Sequence, residues 1–394
     1  MNFFPITLTA LLLCGCAITP RKPVPKQVAN TAHVPGLGEG RIMIEIGDTN
    51  MPGQLAKFLS GFDVSGGTNN HVHVLALSGG GENGAFGAGL LCGWTQAGTR
   101  PQFDMVTGIS TGSLIAPLAF LGSGLDPQLR HGYTEIQPSQ VFLKRGFFGI
   151  LKHRDAVADS KPLQRLIKEI LGEKEFVAIA AEHRKGRRLL VMTTNLDSQK
   201  PVIWDIGAIA CSGYPDSLNL IRKILLASSS IPVVFPPVLF DVEADGRHYD
   251  ELHVDGGVTA QVFGAGMLLF GLPQHKAGTQ IDFYLIRNGR IGPEYAAPER
   301  KISAIAGRSI ETLMKVQGAN DVLRLWTFSR ASGANFHYVT MPDEFQLELK
   351  NPFDLAYMKA LFDFGYRQGI SGIAWHEAPP AFSDIDLPQP AQAR

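Results

Sequence analysis

The stretch from residue 71 to residue 112 limits the fold more than any other part of the chain. Residues 71–78 are rich in Val and Leu and predict a buried strand, and three consecutive glycines at 79–81 follow it. From Gly84 onward apolar residues recur at helical spacing, so the glycines form the turn of a strand–turn–helix unit. A second apolar strand over 103–109 and another sharp turn follow. Two such units in succession are typical of an α/β fold with parallel strands.

The glycine turn has the properties of a site for negative charge. Without a Cβ, the backbone at Gly79, Gly80 and Gly81 can turn tightly with its N–H groups exposed. The first N–H groups of the helix that begins at Gly84 have no partner within the helix and point back toward the turn. The turn therefore predicts a pocket that favours an anion.

The second turn carries a candidate nucleophile. Residues 108–112, Gly-Ile-Ser-Thr-Gly, match G-x-S-x-G between a predicted strand and a predicted helix. On such a turn the hydroxyl of Ser110 is exposed, and Gly108 and Gly112 leave it room. The position favours Ser110 as the nucleophile of an acyl transfer over the alternative of a purely structural turn.

The same glycines admit a second interpretation. Gly79, Gly81 and Gly84 also fit the G-x-G-x-x-G of dinucleotide-binding folds. In those folds an acidic residue stands at the end of the second strand, where it meets the ribose. Asp104 instead begins its strand and Ser110 stands at the far end, so we favour acyl transfer over nucleotide binding.

A serine nucleophile needs a proton acceptor, and Asp255 is the first candidate. It ends a short predicted strand and precedes Gly256 and Gly257, which leave the backbone room. His337 is the second candidate, because the order Ser110, Asp255, His337 is that of a triad hydrolase with an α/β-hydrolase fold. It lies within a predicted strand, where a histidine more often has a structural role.

The start of the chain predicts a lipid anchor. Residues 1–16 contain an apolar run of signal-peptide length, which is too short to cross a bilayer as a stable anchor. The run ends in Leu-Cys-Gly-Cys and resembles the bacterial lipobox, whose last cysteine, here Cys16, is lipidated. Ala17 follows it, which resembles the outer-membrane sorting type. We expect a lipid-anchored protein of the bacterial envelope, at the outer membrane, with a plain secretory signal as the alternative.

Composition indicates the domain boundaries and excludes some partners. The Pro- and Gly-rich residues 17–40 predict a flexible tether and 377–394 a disordered tail, which leaves 41–376 as one domain. Acidic and basic residues number 36 each, so nothing indicates a nucleic-acid partner. We expect Cys92 and Cys211 to be buried thiols, and no spacing typical of metal ligands occurs, so neither metal nor cofactor is expected. The sequence does not indicate an oligomeric state.

Four motifs in order resemble the patatin-like phospholipase family. The family's D-G-G-G-x-[R/K]-G, G-x-S-x-G, S-S-x-x-P…F-P-P and D-G-G are similar to residues 78–84, 108–112, 229–237 and 255–257. The resemblance covers about residues 71–260. The chain departs from the family at Ser78, where the family has Asp, and at Asn83, where it has Arg or Lys.

The resemblance implies a three-layer α/β/α fold with a mixed, largely parallel central sheet. It also implies a serine acyl hydrolase that cleaves ester-linked fatty acids from phospholipids through an acyl-enzyme. Ser110 and Asp255 would form the catalytic dyad and the glycines at 79–81 the oxyanion hole. Two alternatives stay open: a Ser-His-Asp triad esterase that uses His337, and a non-catalytic envelope lipoprotein that binds lipid.

Overall fold

The computed structural model describes residues 21–45, 47–62, 70–146, 155–264 and 279–382. Its strands are, in chain order, β1 (Arg41–Met43), β2 (His71–Leu77), β3 (Met105–Gly108), β4 (Leu143–Lys144), β5 (Ala158–Asp159), β6 (Arg188–Asn195), β7 (Lys200–Asp205), β8 (Val238–Ala244), β9 (Arg247–Asp255), β10 (Gln280–Arg287) and β11 (Asn335–Thr340).

The helices of the described residues are α1 (Met51–Phe58), α2 (Gly84–Gln96), α3 (Thr111–Leu121), α4 (Asp126–Thr134), α5 (Pro138–Val141), α6 (Lys161–Ile170), α7 (Glu173–Arg184), α8 (Ile206–Cys211), α9 (Ser217–Ser228), α10 (Ile302–Ser332) and α11 (Leu355–Ser371). Short 3-10 helices occupy Lys26–Thr31, Gly81–Asn83, Ser123–Leu125, Gly256–Val258 and Pro380–Phe382. None of the described helices combines the length and the apolarity that crossing a membrane requires.

Nine of the strands form one mixed sheet. Its order is β1-β7-β6-β3-β2-β10-β11, and the β8–β9 hairpin joins it at β6. The five strands β6, β3, β2, β10 and β11 run parallel, whereas β1, β7 and β9 pair antiparallel with their neighbours. The sheet is therefore mixed and largely parallel, which confirms the predicted fold class.

Helices cover both faces of this sheet. Along β2, Leu75 and Leu77 pack into the cluster that includes α2, α3 and α11, while Val72 and Val74 pack into a second cluster on the opposite face. The second cluster takes side chains from α1 and α10, among them Trp326. Because strand side chains alternate between faces, a sheet that is apolar on both sides needs helices on both. The result is the three-layer α/β/α arrangement.

The two strand–turn–helix units predicted from the sequence are present. The glycine turn joins β2 to α2 through the 3-10 helix Gly81–Asn83, and the serine turn joins β3 to α3. Because β2 and β3 are adjacent and parallel, both turns stand at the same, carboxyl-terminal edge of the sheet. Such edges are where α/β proteins place their binding sites.

The predicted tether, residues 17–40, is packed on the domain wherever the structure describes it. Arg21 forms ion pairs of 2.7 Å with both Asp197 and Asp250. The 3-10 helix Lys26–Thr31 follows, and the apolar side chains after it join the core: Ala32, Val34 and Leu37. The prediction was wrong for residues 21–40, because partners far along the chain fix a segment whose local composition favours flexibility.

Residues 377–382 of the predicted tail are packed on the domain. The 3-10 helix Pro380–Phe382 closes the described chain, and the ring of Phe382 packs against Trp326 with 5.1 Å between centroids. The rest of the predicted tail, 383–394, lies outside the described residues, as does the predicted signal peptide with Cys16. Both remaining cysteines are free thiols; Cys92 is buried as expected, whereas Cys211 is half-buried.

Candidate active site

Ser110 stands on a strained turn. β3 ends at Gly108, α3 begins at Thr111, and Ser110 between them has φ 55° and ψ −126°. Such backbone conformations of non-glycine residues cost of order 1–3 kcal/mol and persist only where surrounding contacts enforce them. Here a Cβ on Gly112 would lie 2.4 Å from the carbonyl oxygen of Leu77, so α3 starts against the end of β2. The two glycines of the motif thus allow backbone contacts that force the turn.

Hydrogen bonds hold the Ser110 backbone from two sides. Its N–H donates to Ser228 Oγ over 3.1 Å, and that hydroxyl donates in turn to the carbonyl of Met192 at 2.8 Å. The hydroxyl of Ser113 donates to the Ser110 carbonyl at 2.7 Å. With both backbone groups bonded, the position of the Ser110 side chain is set by the fold rather than by the local chain.

Asp255 lies beside Ser110 and is fully buried. It is the last residue of β9, opposite Thr193 of β6, and its Oδ1 accepts a 2.7 Å bond from the Gly257 N–H. Its Oδ2 is buried without a hydrogen-bond partner among the described residues. Burial raises the pKa of Asp255 to about 7, although the Gly257 N–H and the nearby Ser110 hydroxyl each lower it in part. The structure thus brings a carboxylate that can take up a proton near neutral pH to the predicted nucleophile.

The two glycines after Asp255 leave room for this arrangement. A Cβ on Gly257 would lie 2.9 Å from Asp255 Oδ1, and one on Gly256 would lie 2.6 Å from the Met192 carbonyl. A side chain at Gly257 would displace the carboxylate, and one at Gly256 would push β9 away from β6. The D-G-G sequence is therefore a packing requirement of the site.

The described histidines do not complete a triad. His337 Nε2 lies 3.2 Å from Asp282 Oδ1, toward the amino-terminal ends of the parallel strands, whereas Ser110 follows the carboxyl end of β3. His253, two residues before Asp255, has both ring nitrogens within hydrogen-bond distance of other side chains. The structure thus gives no support to the interpretation that His337 serves Ser110.

The glycine loop differs in one respect from the prediction. Gly79 is next to the serine, since a Cβ on it would lie 3.3 Å from the Cβ of Ser110. Its N–H, however, donates to the carbonyl of Gln261 at 2.9 Å. Gly79 is thus engaged in holding the loop and is not placed as an oxyanion donor, which corrects the expectation that all three glycines donate.

Gly80 and Gly81 can still serve as oxyanion donors. Gly80 has φ +156°, and a Cβ on it would lie 1.9 Å from the Asn288 carbonyl oxygen; Gly81 has φ +56°. No hydrogen bond found among the described residues uses the N–H of either glycine. Gly81 and Ser110 line the same cavity. These two amides are therefore the candidates for an oxyanion hole.

Asn288 anchors the glycine loop, and sequence reasoning missed it. Its side-chain amide donates to the Ser78 carbonyl at 2.9 Å and accepts from the Gly87 N–H at 3.1 Å. The Ser78 hydroxyl accepts from the Asn288 N–H at 2.8 Å and donates to the Gly79 carbonyl at 2.7 Å. Ser78 therefore stabilises the loop where the family has Asp. The only sequence signal was a polar residue directly after the buried strand β10.

Asp321, in the middle of α10, ties together the two loops of the site and was also missed. Its buried Oδ2 accepts from the Gln261 N–H at 2.7 Å. The Gln261 side-chain amide donates to the Gly257 carbonyl at 2.8 Å. The backbone carbonyl of Gln261 accepts from the Gly79 N–H. An acidic residue within a long helix gives no local signal of this role.

An apolar cavity opens at Ser110. The cavity has a volume of about 60 Å³, and Ser110, Thr111 and Gly81 are among the residues that line it. The hydroxyl of Thr111 is fixed by that of Tyr133 at 2.5 Å. The remaining wall is mostly aliphatic and aromatic, with Leu114, Leu118, Leu163, Leu166, Ile231 and Phe235 as examples. An apolar lining of this kind suits a hydrocarbon chain better than a polar ligand.

A serine on a strained turn, a buried carboxylate beside it and an apolar cavity together have the geometry of a lipid-hydrolase site. Comparison with known proteins agrees: residues 75–263 match the family model of patatin-like phospholipases. Residues 75–263 are therefore a patatin-like phospholipase domain. The chain is a lipid acyl hydrolase.

Two relatives are named as phospholipases. The cGAMP-activated phospholipase of Vibrio cholerae serotype O1 is 27% identical over 271 residues, which are 61% of this chain and 69% of the relative. The cUMP-AMP-activated phospholipase of Escherichia coli is 36% identical over 150 residues, which are 37% of this chain and 42% of the relative. The chain thus matches less than half the length of the second. The structural match to VipD from Legionella pneumophila spans 77% of this chain and 67% of the VipD chain, with 13% sequence identity and a TM-score of 0.33.

The buried carboxylate predicts an unusual dependence of stability on pH. The pKa of Asp255 is about 7 in the folded protein against 3.8 without the fold, so the native state holds a proton that the unfolded state loses. The stability from this proton is complete below about pH 4 and is lost as pH rises to about 7. Asp255→Asn removes this titration, so its Tm relative to wild type should rise from pH 4 to 7 and then level off.

Thermal unfolding at several pH values tests this, with Asp197→Asn as a control of opposite sign. Burial acts to raise the pKa of Asp197, but the hydrogen bonds from Arg21 and the Leu252 N–H lower it overall. Removing that carboxylate should therefore destabilise the protein at neutral pH and less so as pH falls. A difference between Asp255→Asn and wild type that does not change between pH 4 and 7 would contradict the raised pKa.

Proposed function

We propose that the chain hydrolyses phospholipid acyl esters with Ser110 as nucleophile and Asp255 as the base. The observation that carries the proposal is a fully buried carboxylate, its pKa raised to about 7, beside a serine that opens into an apolar cavity. At neutral pH about half of the Asp255 side chains are ionised and able to accept the serine proton. An exposed aspartate, with its pKa near 4, would be a much weaker base.

The reaction then follows in two steps. Ser110 Oγ attacks the ester carbonyl while Asp255 takes its proton, and the oxyanion receives hydrogen bonds from the Gly80 and Gly81 amides. The bond to the leaving alcohol breaks, and Asp255 returns the proton to that oxygen. Water, deprotonated by Asp255, next attacks the acyl-enzyme carbonyl. The ester bond to Ser110 Oγ breaks, Asp255 returns the proton to that oxygen, and the fatty acid leaves. The acyl chain lies in the apolar cavity throughout.

A second cavity, beside the glycine loop, supports the proposal that the substrate has an anionic head group. It is lined by Gly80 and Asn83 and by four cationic side chains, Arg287, Arg290, Arg308 and Lys315. Three of the four pair with carboxylates of the same region; Arg287 instead is buried and donates long bonds to backbone carbonyls. A buried guanidinium that has no carboxylate partner among the described residues favours a phosphate ligand. These cations stand near the loop that lacks the family's Arg or Lys at position 83.

The assignment of nucleophile and base is tested by three variants. Ser110→Ala and Asp255→Asn should each lower kcat/KM for a phospholipid by about 10³-fold or more, the scale seen when a hydrolase loses its nucleophile or the partner of its base. His337→Ala should stay within a few-fold of wild type. A fluorophosphonate should label wild type and His337→Ala at Ser110 but not Ser110→Ala.

Circular dichroism of each variant separates lost chemistry from lost fold. Assays with and without cGAMP show whether the activation named for the Vibrio cholerae relative extends to this chain. A folded but inactive His337→Ala, or labelling that persists in Ser110→Ala, would contradict the dyad.

The acyl cavity predicts a chain-length effect. Leu166 of α6 lines the cavity and is nearly buried, so Leu166→Trp should fill the space that the distal part of an acyl chain needs. Each methylene kept from burial costs about 0.8 kcal/mol, so kcat/KM for long-chain esters should fall by about 10-fold or more. Short-chain esters should be hydrolysed as before. Val177→Trp, at a position 62% exposed on α7, is the matched control. An equal loss for short and long chains would remove the cavity from substrate binding.

We propose further that the enzyme acts from a lipid anchor at Cys16 in the bacterial envelope. The support is the apolar run and Leu-Cys-Gly-Cys sequence at residues 1–16. Cys16→Ser should move the protein from the membrane fraction into a soluble fraction, while Cys14→Ser, the matched control, leaves it with the membrane. Retention of Cys16→Ser at wild-type levels after salt washing would refute the anchor.

A further inference from the structure

Four polar side chains meet at the edge of the sheet opposite to the active site. His71 and His73 are two residues apart on β2 and so point to the same face. Asp282 of β10 stands directly opposite His73 in the register, and His337 of β11 lies on the far side of Asp282. None of these groups takes part in the ester hydrolysis described above.

The distances between the first three side chains are those of metal ligands. Nδ1 of His71 lies 3.5 Å from Asp282 Oδ2, and Nδ1 of His73 lies 3.7 Å from the same oxygen. Both separations are too long for good hydrogen bonds. In a tetrahedral site with bonds of about 2.0–2.1 Å, neighbouring ligand atoms lie about 3.4 Å apart. The three ligand atoms all lie within 4.8 Å of one another.

One of these ligand atoms receives no hydrogen bond from the residues that the structure describes. His73 Nδ1 is buried and makes no hydrogen bond among the described residues. A buried polar atom left unpaired costs about 1–3 kcal/mol, so such atoms usually have a ligand or ordered water. A cation between His73 Nδ1 and Asp282 Oδ2, which lie 3.7 Å apart, would remove that cost.

Contacts with Asn335 and His337 fix the orientation of the Asp282 carboxylate. Its Oδ1 accepts from the Asn335 side-chain amide at 2.8 Å and lies 3.2 Å from His337 Nε2. The bonded oxygen thus fixes the carboxylate and leaves Oδ2 toward His71 and His73. Such outer hydrogen bonds accompany metal ligands in most known sites. Stacking of His337 on Tyr284, with 4.8 Å between ring centroids, restrains it further.

We propose that His71, His73 and Asp282 bind one Zn²⁺, with water as the fourth ligand and His337 as a positioning residue. Two imidazoles and a carboxylate are a ligand set that Zn²⁺ takes with an open fourth position. The exposed side of the site is His71, whose side chain is 42% accessible, so the ion and the water can enter there. The ion would join β2 to β10 where the strands begin and would not touch Ser110.

The test uses untagged, full-length protein stripped with EDTA, and Zn²⁺ in competition with a chromophoric chelator. We expect one Zn²⁺ per chain and a Tm that rises with Zn²⁺ concentration. His71→Ala, at the exposed side where folding is least at risk, should weaken Zn²⁺ binding by about 100-fold or more. His337→Gln should weaken it by about 10-fold, the scale of lost outer hydrogen bonds.

The matched control is His131→Ala. His131 is also a histidine beside a carboxylate, 2.8 Å from Glu135, but it is exposed and no third ligand joins it in the described structure. Its variant should bind Zn²⁺ as wild type does. Binding of less than one Zn²⁺ per chain, or wild-type affinity in His71→Ala, would overturn the proposal. Ester hydrolysis by the stripped protein tests the dyad separately, because that activity needs no ion at this site.

Discussion

The close approach of two backbone turns at one edge of the sheet determines the rest of the site. The helix after Ser110 begins in contact with the carbonyls of Leu77 and Ser78, at a distance that only Gly112 permits. This contact places the glycine loop over the serine and forces the serine into a conformation it would otherwise avoid. Asn288 and Gln261 then hold the loop from the next strand and from the D-G-G segment. Because these contacts are between backbones, they tolerate little change.

The enclosure of Asp255 works against stability and in favour of chemistry. A buried carboxylate with one oxygen that accepts no well-formed hydrogen bond from the described residues destabilises the fold once it ionises. The same enclosure keeps its pKa near neutrality, which suits the proposed role of a base that both accepts and returns a proton. The protein therefore keeps at its centre a group that a more stable sequence would replace. Among the described residues, the Gly257 N–H and the Ser110 hydroxyl counteract this, which couples the proposed base to the proposed nucleophile.

The sequence predicted the features that depend on neighbouring residues. It did not predict contacts that depend on the order and alignment of strands in the sheet. The strand–turn–helix units and the fold class follow from periodicity and glycine placement within about forty residues. The supports of the loop, Asn288 and Asp321, come from strands and helices more than 200 residues away, so their roles needed the sheet order. The cluster of His71, His73 and Asp282 was missed for the same reason, since a spacing search sees only ligands near in sequence. Composition misled at residues 21–40, where distant partners fix the chain.

The ion pairs of Arg21 limit how far the active site can lie from a lipid anchor at Cys16. If Cys16 carries lipid, five Cα steps separate it from Arg21, a span of at most about 18 Å. Arg21 is clamped to Asp250, and about 17 Å of β9 leads from there to Asp255. The reacting carboxylate then stays within about 40 Å of the acyl chains that hold the protein. With the proposed anchor, the enzyme would therefore reach only lipids close to its own attachment point, and lateral diffusion of lipid would supply its substrate.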